Sequence, residues 1–135
     1  MKQLIKSALF ALSLAMAPIS AKAEDAARQV ISDQLEAFQA DDFETAFSFA
    51  SPMIKRLFRT PDRFGAMVRN GYPMVWRPSK VEFVSSETVG AAVREIVLIR
   101  DGEGVFYELE YEMIPLEDGW KINGVRVRRS GDGLA

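Results

Sequence analysis

Residues 105–113 read Val105-Phe106-Tyr107-Glu108-Leu109-Glu110-Tyr111-Glu112-Met113, and their alternation decides the fold class. Val105, Tyr107, Leu109, Tyr111 and Met113 fall on one face, while Glu108, Glu110 and Glu112 fall on the other. A repeat of two with one apolar and one charged face is that of a half-buried strand. Such strands build antiparallel sheets, whose apolar side needs a covering layer. The same repeat extends on both sides of this stretch. Strands are expected near 79–86, 91–100, 104–114 and 119–128, with Asp101-Gly102 and Asp118-Gly119 marking turns, the second within a longer loop. In the last strand Trp120 and Ile122 face inward, and then Val125 and Val127 do. That one-residue slip at Asn123-Gly124 predicts a β-bulge, with Lys121, Arg126 and Arg128 outward, across from the glutamate row. The second strand admits two registers. One buries Val93, Val97 and Ile99, and Glu95 with them; the other buries Ile96 and Leu98.

Upstream of Pro78 the repeat is helical. Ala27, Val30, Ile31, Leu35 and Phe38 share a face over Glu24–Ala40. Asp41 or Asp42 caps a second helix carrying Phe43, Ala46, Phe47 and Ala50. Ser51-Pro52 and Thr60-Pro61 repeat a cap-then-proline signal for two more helices, the last ending at Gly71. From Tyr72-Pro73 to Arg77-Pro78 the chain is expected to be extended or irregular, because residues before proline avoid the α region. The class that follows is α+β: N-terminal helices packed on a curved antiparallel sheet of about four strands, a roll or cone.

Residues 1–23 have the organisation of a cleavable signal peptide. Lys2 and Lys6 form a positive start, Ala8 to Ala17 an apolar run, and Ala21-Lys22-Ala23 a small-x-small site that would leave Glu24 first. The run is too short for a stable membrane anchor, which takes about 20 apolar residues. The expected organisation is therefore a signal peptide over 1–23, a single domain over 24–128 and a flexible tail over 129–135, in a periplasmic or secreted protein. The chain has neither Cys nor His. Zinc sites of Cys and His, Ser-His-Asp and Cys-His nucleophiles and imidazole acid–base chemistry are thereby excluded. No glycine-rich phosphate loop is present, and neither a metal nor a cofactor is expected. Past residue 23 the chain holds 14 bases and 19 acids, net -5, unevenly spread. Residues 24–50 sum to -6, residues 51–80 to +6 and residues 81–135 to -5. A net-acidic exported protein is not expected to bind nucleic acid, whose phosphates demand basic surface. The +6 segment would draw an anion.

Several phrases are more specific: Phe49-Ala50-Ser51-Pro52, Phe58-Arg59-Thr60-Pro61, Met67-Val68-Arg69-Asn70-Gly71-Tyr72-Pro73 and Gly119-Trp120-Lys121-Ile122. Helices packed into a curved, bulged sheet resemble the nuclear transport factor 2-like (ketosteroid isomerase-like, cystatin-like) superfold. The phrases together resemble a family of small exported bacterial proteins known only as a domain of unknown function. The resemblance spans nearly the whole chain after residue 23. It implies the cone fold and brings no activity. Curved sheets of this fold often pair, so it also implies a possible homodimer, although the outward Glu/Arg surface argues against a large apolar interface.

Two sets of residues are candidates for a site. Arg69, Tyr72, Trp76 and Arg77 place two guanidinium groups and two aromatics within nine positions, a combination suited to an anion or a protein surface. Tyr107 and Tyr111 face inward with hydroxyls that need partners. Six of the nine phenylalanines (Phe38, Phe43, Phe47, Phe49, Phe58 and Phe64) lie in the helices. If their rings fill the cone, no pocket remains. The preferred reading is a non-enzymatic periplasmic module for a small amphipathic or anionic ligand, or for an envelope protein partner. The alternative is a small lyase- or isomerase-type enzyme using tyrosine and carboxylate proton transfer in the cone, as ketosteroid isomerases do.

Overall fold

Three side chains start the central helices, each accepting a hydrogen bond from the backbone N–H three residues on. Asp42 accepts from Thr45, Ser51 from Ile54 and Thr60 from Arg63. Pro52 and Pro61 follow their caps in the first helical turn, where a missing N–H costs nothing. The computed structural model describes residues 19–129. It contains α1 (Ile19–Gln39), α2 (Phe43–Ser48), α3 (Pro52–Phe58), α4 (Pro61–Gly71) and α5 (Pro73–Trp76). These are followed by β1 (Lys80–Val89), β2 (Ala92–Arg100), β3 (Phe106–Leu116) and β4 (Gly119–Arg129). The positive start and apolar run of the expected signal peptide lie outside the described residues, as does the tail from 130 on.

Two helical expectations need correction. α1 begins at Ile19 rather than Glu24, so Ala21-Lys22-Ala23 lies in its first turns, where alanine favours the helix. The stretch after Tyr72 is not extended, because Pro73–Trp76 forms the single turn of α5. The restriction before proline acts only on Tyr72 (φ -133°, ψ 55°) and Arg77 (φ -138°, ψ 71°), leaving the residues between them free to coil.

The sheet is an antiparallel meander in the order β1-β2-β3-β4. β2 takes the first of its two registers, and Val93, Glu95, Val97 and Ile99 are all buried. The bulge expected in β4 is present: Glu112 lies opposite Gly124 and Met113 opposite Ile122, leaving Asn123 over. A second bulge, at Val84 in β1, carries no sequence signal of comparable strength, because β1 is largely exposed on both faces. β1 also runs on to Val89, where Gly90, at φ +62°, opens a two-residue turn into β2.

The helices cover the concave face. Ile31, Leu35 and Phe38 of α1, with Phe47 and Phe64, pack on Val97, Ile99, Leu109 and Met113. At one end the α2–α3 connection is tied to β4 by paired backbone hydrogen bonds, Ser51 N–H to Ile122 O (2.8 Å) and Ile122 N–H to Phe49 O (2.9 Å). On the outer face Arg128 pairs with Glu108 (2.5 Å), while Arg94 bridges Glu87 (2.6 Å) and Glu110 (3.3 Å). Lys121 departs from the expected row. It lies opposite Ile114 and donates to the Ser48 carbonyl (3.1 Å), with Asp118 at 3.4 Å.

Candidate functional site

The phenylalanines do not fill the cone. Phe38 stacks on Phe64 at 5.8 Å, and Phe47 and Phe58 meet the same ring at 5.0 and 6.0 Å. Gathered around one ring, they leave an apolar cavity of about 380 Å³ between the helices and the bulged end of the sheet. α3 contributes Met53, Ile54, Leu57 and Phe58 to its wall, and α4 contributes Phe64, Met67 and Val68. Tyr72 and Val75 close one side, while Ile122, Asn123, Gly124 and Val125 bring the β4 bulge to the other. The bulge matters here because it turns β4 and places a residue without a side chain in the wall.

Tyr111 reaches this cavity from β3. The residue is wholly buried, and its hydroxyl meets no hydrogen-bond partner among the described residues. Burial alone drives its pKa far above the usual tyrosine value, so the phenol stays protonated and can donate. An orphaned buried hydroxyl costs about 1–3 kcal/mol relative to a paired one. Tyr72, Gln34 and Asn123 are the other polar residues of a mainly apolar wall, and the Tyr111 hydroxyl sits just behind that wall, with essentially no surface of its own open to the cavity. Gln34 also borders the space but is anchored, its side-chain amide donating to the Ala46 carbonyl at 3.0 Å.

One carboxylate is buried on the same concave face. Glu95 lies opposite Tyr111 in the β2–β3 register and opposite Ser86 on β1. Its Oε1 accepts from Arg28 Nε of α1 at 2.8 Å, and its Oε2 accepts from the Ser86 hydroxyl. The Arg28 guanidinium also lies over the Phe83 ring at 5.3 Å. Both carboxylate oxygens are thus engaged, and the charge is matched where α1 crosses the sheet.

Of the six residues singled out by sequence, the fold brings Tyr72 and Tyr111 together on the cavity. Trp76 and Arg77 form a separate cluster with Asp41, at the end of α1. The Arg77 guanidinium donates to both Asp41 oxygens (3.0 and 3.1 Å) and to the Phe38 carbonyl (2.9 Å), and it stacks on Trp76 at 4.3 Å. The Trp76 indole N–H donates to the same Asp41 (2.9 Å). That bond, ahead of Arg77, holds the Asp41 pKa below its ordinary value. Arg69 is turned toward α2, over the Phe43 ring at 5.0 Å. Tyr107 is half-buried beside the core, at the Ile99 end of the sheet.

Sequence reading missed the α3 residues Met53, Ile54 and Leu57 as a site. The available signal was four apolar side chains crowded into a seven-residue helix; the structure adds that none of them is fully buried. Asn123-Gly124 was read as a bulge, and its role as cavity wall depends on which helices face it.

A curved four-stranded meander with helices laid into its concave side defines the nuclear transport factor 2-like fold. Residues 20–133 match the family described as Domain of unknown function (DUF4864), and the chain belongs to that family. Among solved structures the chain is similar to an NTF2-like protein of unknown function from Shewanella baltica OS155, at 15% identity and a TM-score of 0.59, covering 84% of this chain and 98% of that one. It is also similar to a putative dehydratase of the NTF2-like family from Streptomyces avermitilis, at 14% identity and a TM-score of 0.49, covering 79% and 96%. Identities this low speak to the fold alone. Among curated proteins none matches this chain.

Proposed function

We propose that this protein is a non-enzymatic module of the bacterial periplasm that holds a small amphipathic ligand in its cone. The orphaned Tyr111 hydroxyl, just behind the wall of a mainly apolar cavity of about 380 Å³, carries the reading. The ligand's apolar body would lie against Phe58, Phe64 and Met67, and a shift of the side chains over Tyr111 would let an acceptor atom meet its phenol. The volume lies at the lower end of ordinary small-molecule sites, and the pattern of apolar walls with few polar groups is typical of them. Export is supported by the organisation of residues 1–23. Anion capture by Arg77 is disfavoured because its guanidinium is already spent on Asp41 and Phe38. The proton-transfer reading is disfavoured in the same way, since Glu95, the buried carboxylate of the concave face, is held by Arg28 and Ser86.

Native mass spectrometry of the protein isolated from its own cell envelope tests this reading. We expect an adduct that survives gentle ionisation, is lost on denaturation, and falls at least tenfold in Met67→Trp, which fills the cavity from its half-buried wall. A bare mass under all conditions would overturn it.

A further inference from the structure

From the rim of the cavity we infer an interaction surface for an anionic lipid bilayer. α3 is amphipathic but buries nothing completely. Met53 and Leu57, which border the cavity, are 49% and 68% exposed, and they sit one turn apart on the same side of the helix. Exposed Arg56 and Arg59 belong to the same helix and its C-cap, exposed Arg63 to the first turn of α4, and half-buried Lys55 lies two residues from both apolar side chains, away from their side of the helix. None of these four cations forms an ion pair among the described residues, whereas Arg28, Arg77, Arg94 and Arg128 all do. The domain beyond this segment is net acidic, which makes the exposed positive charge a local feature of the mouth. Exposed apolar side chains flanked by free cations fit a surface with negative headgroups outside and hydrocarbon beneath: Met53 and Leu57 enter the acyl layer, while the basic side chains extend to the headgroups. A bilayer supplies both the anionic layer and the hydrocarbon on one continuous surface, whereas an acidic protein would need an apolar pocket matched to Met53 and Leu57 beside its charges. The surface is independent of whether the cavity holds a ligand, and docking there would place the mouth against the lipid.

Cosedimentation with vesicles tests the inference, comparing phosphatidylcholine containing 30% phosphatidylglycerol with phosphatidylcholine alone. The protein should bind the first, release at high salt and ignore the second. Each Lys or Arg near such a surface is worth about fivefold in partitioning. The triple reversal Arg56→Glu/Arg59→Glu/Arg63→Glu should therefore lower binding by at least 100-fold. Leu57→Ser should lower it severalfold and keep the salt dependence. All these positions are exposed, circular dichroism would confirm that the variants fold, and any contribution from residues 1–23 is common to all of them. Equal binding to both vesicle types, or equal binding of parent and triple variant, would overturn the inference. So would a photoreactive side chain at position 57 that, in intact envelopes, traps one protein and no lipid.

Discussion

Glu95 and Tyr111 face each other across β2 and β3, equally buried on the same concave surface, and they have opposite fates. The carboxylate has a partner for each oxygen, while the phenol has none among the described residues. The Trp76–Arg77–Asp41 cluster sides with Glu95, because its donors are spent within the chain. A polar group whose bonds close internally contributes to the fold. One left without a partner behind the wall of a cavity is what the proposed ligand would satisfy. On this contrast rests the proposal that the cavity, rather than the basic aromatic segment, is the site.

Breaking the closed side should have the largest effect. Arg28→Met leaves Glu95 buried and unmatched. Loss of one partner of a buried pair costs about 3–5 kcal/mol, and because Arg28 is 35% exposed we expect about 2–3 kcal/mol in urea denaturation. Arg28→Met/Glu95→Met should recover much of that loss; equal losses in both variants would mean that packing, not charge, dominates. Gly65→Ala tests the helix layer that frames the cavity. Its Cβ would fall 2.7 Å from the Phe43 ring, an overlap that should cost about 1–3 kcal/mol. A neutral outcome would mean that the Phe43 ring yields and the better helix propensity of alanine offsets the overlap.

Alkali sharpens the contrast from the open side. The raised pKa of Tyr111 means that its contribution is complete below pH 10, the ordinary tyrosine value. Above that pH the unfolded chain ionises while the folded one does not, so stability falls by about 1.4 kcal/mol per pH unit. Subtracting the profile of Tyr111→Phe isolates this component, and identical profiles would contradict it. The smallest effect belongs to Asp41, whose pKa is lowered. Its contribution is present above the ordinary aspartate value of 3.8 and fades as pH falls through the folded value. Asp41→Asn should flatten that acid limb slightly, since the cluster is solvent-screened.

The sheet was legible because alternation and the Asn123 phase slip are properties of neighbouring residues. The helix caps at Asp42, Ser51 and Thr60 were legible for the same reason. The turn of α5 was missed because two proline restrictions, each correct at its own residue, were extended across the stretch between them. The site was only half legible. Tyr111 could be placed on the inner face, but nothing local says that its hydroxyl goes unpaired or that three phenylalanines gather round Phe64 and leave space. Those facts belong to the packing of α1 and α3 against β4 and of α4 against α2 and α3, between residues far apart in the chain.

The most direct test compares melting temperature and retained adduct for the parent and Tyr111→Phe. Removing an unpartnered buried hydroxyl should leave the empty protein as stable as the parent or slightly more so, while the adduct seen by native mass spectrometry weakens at least tenfold. A fall of several degrees with the adduct unchanged would make the hydroxyl a structural group and contradict the account.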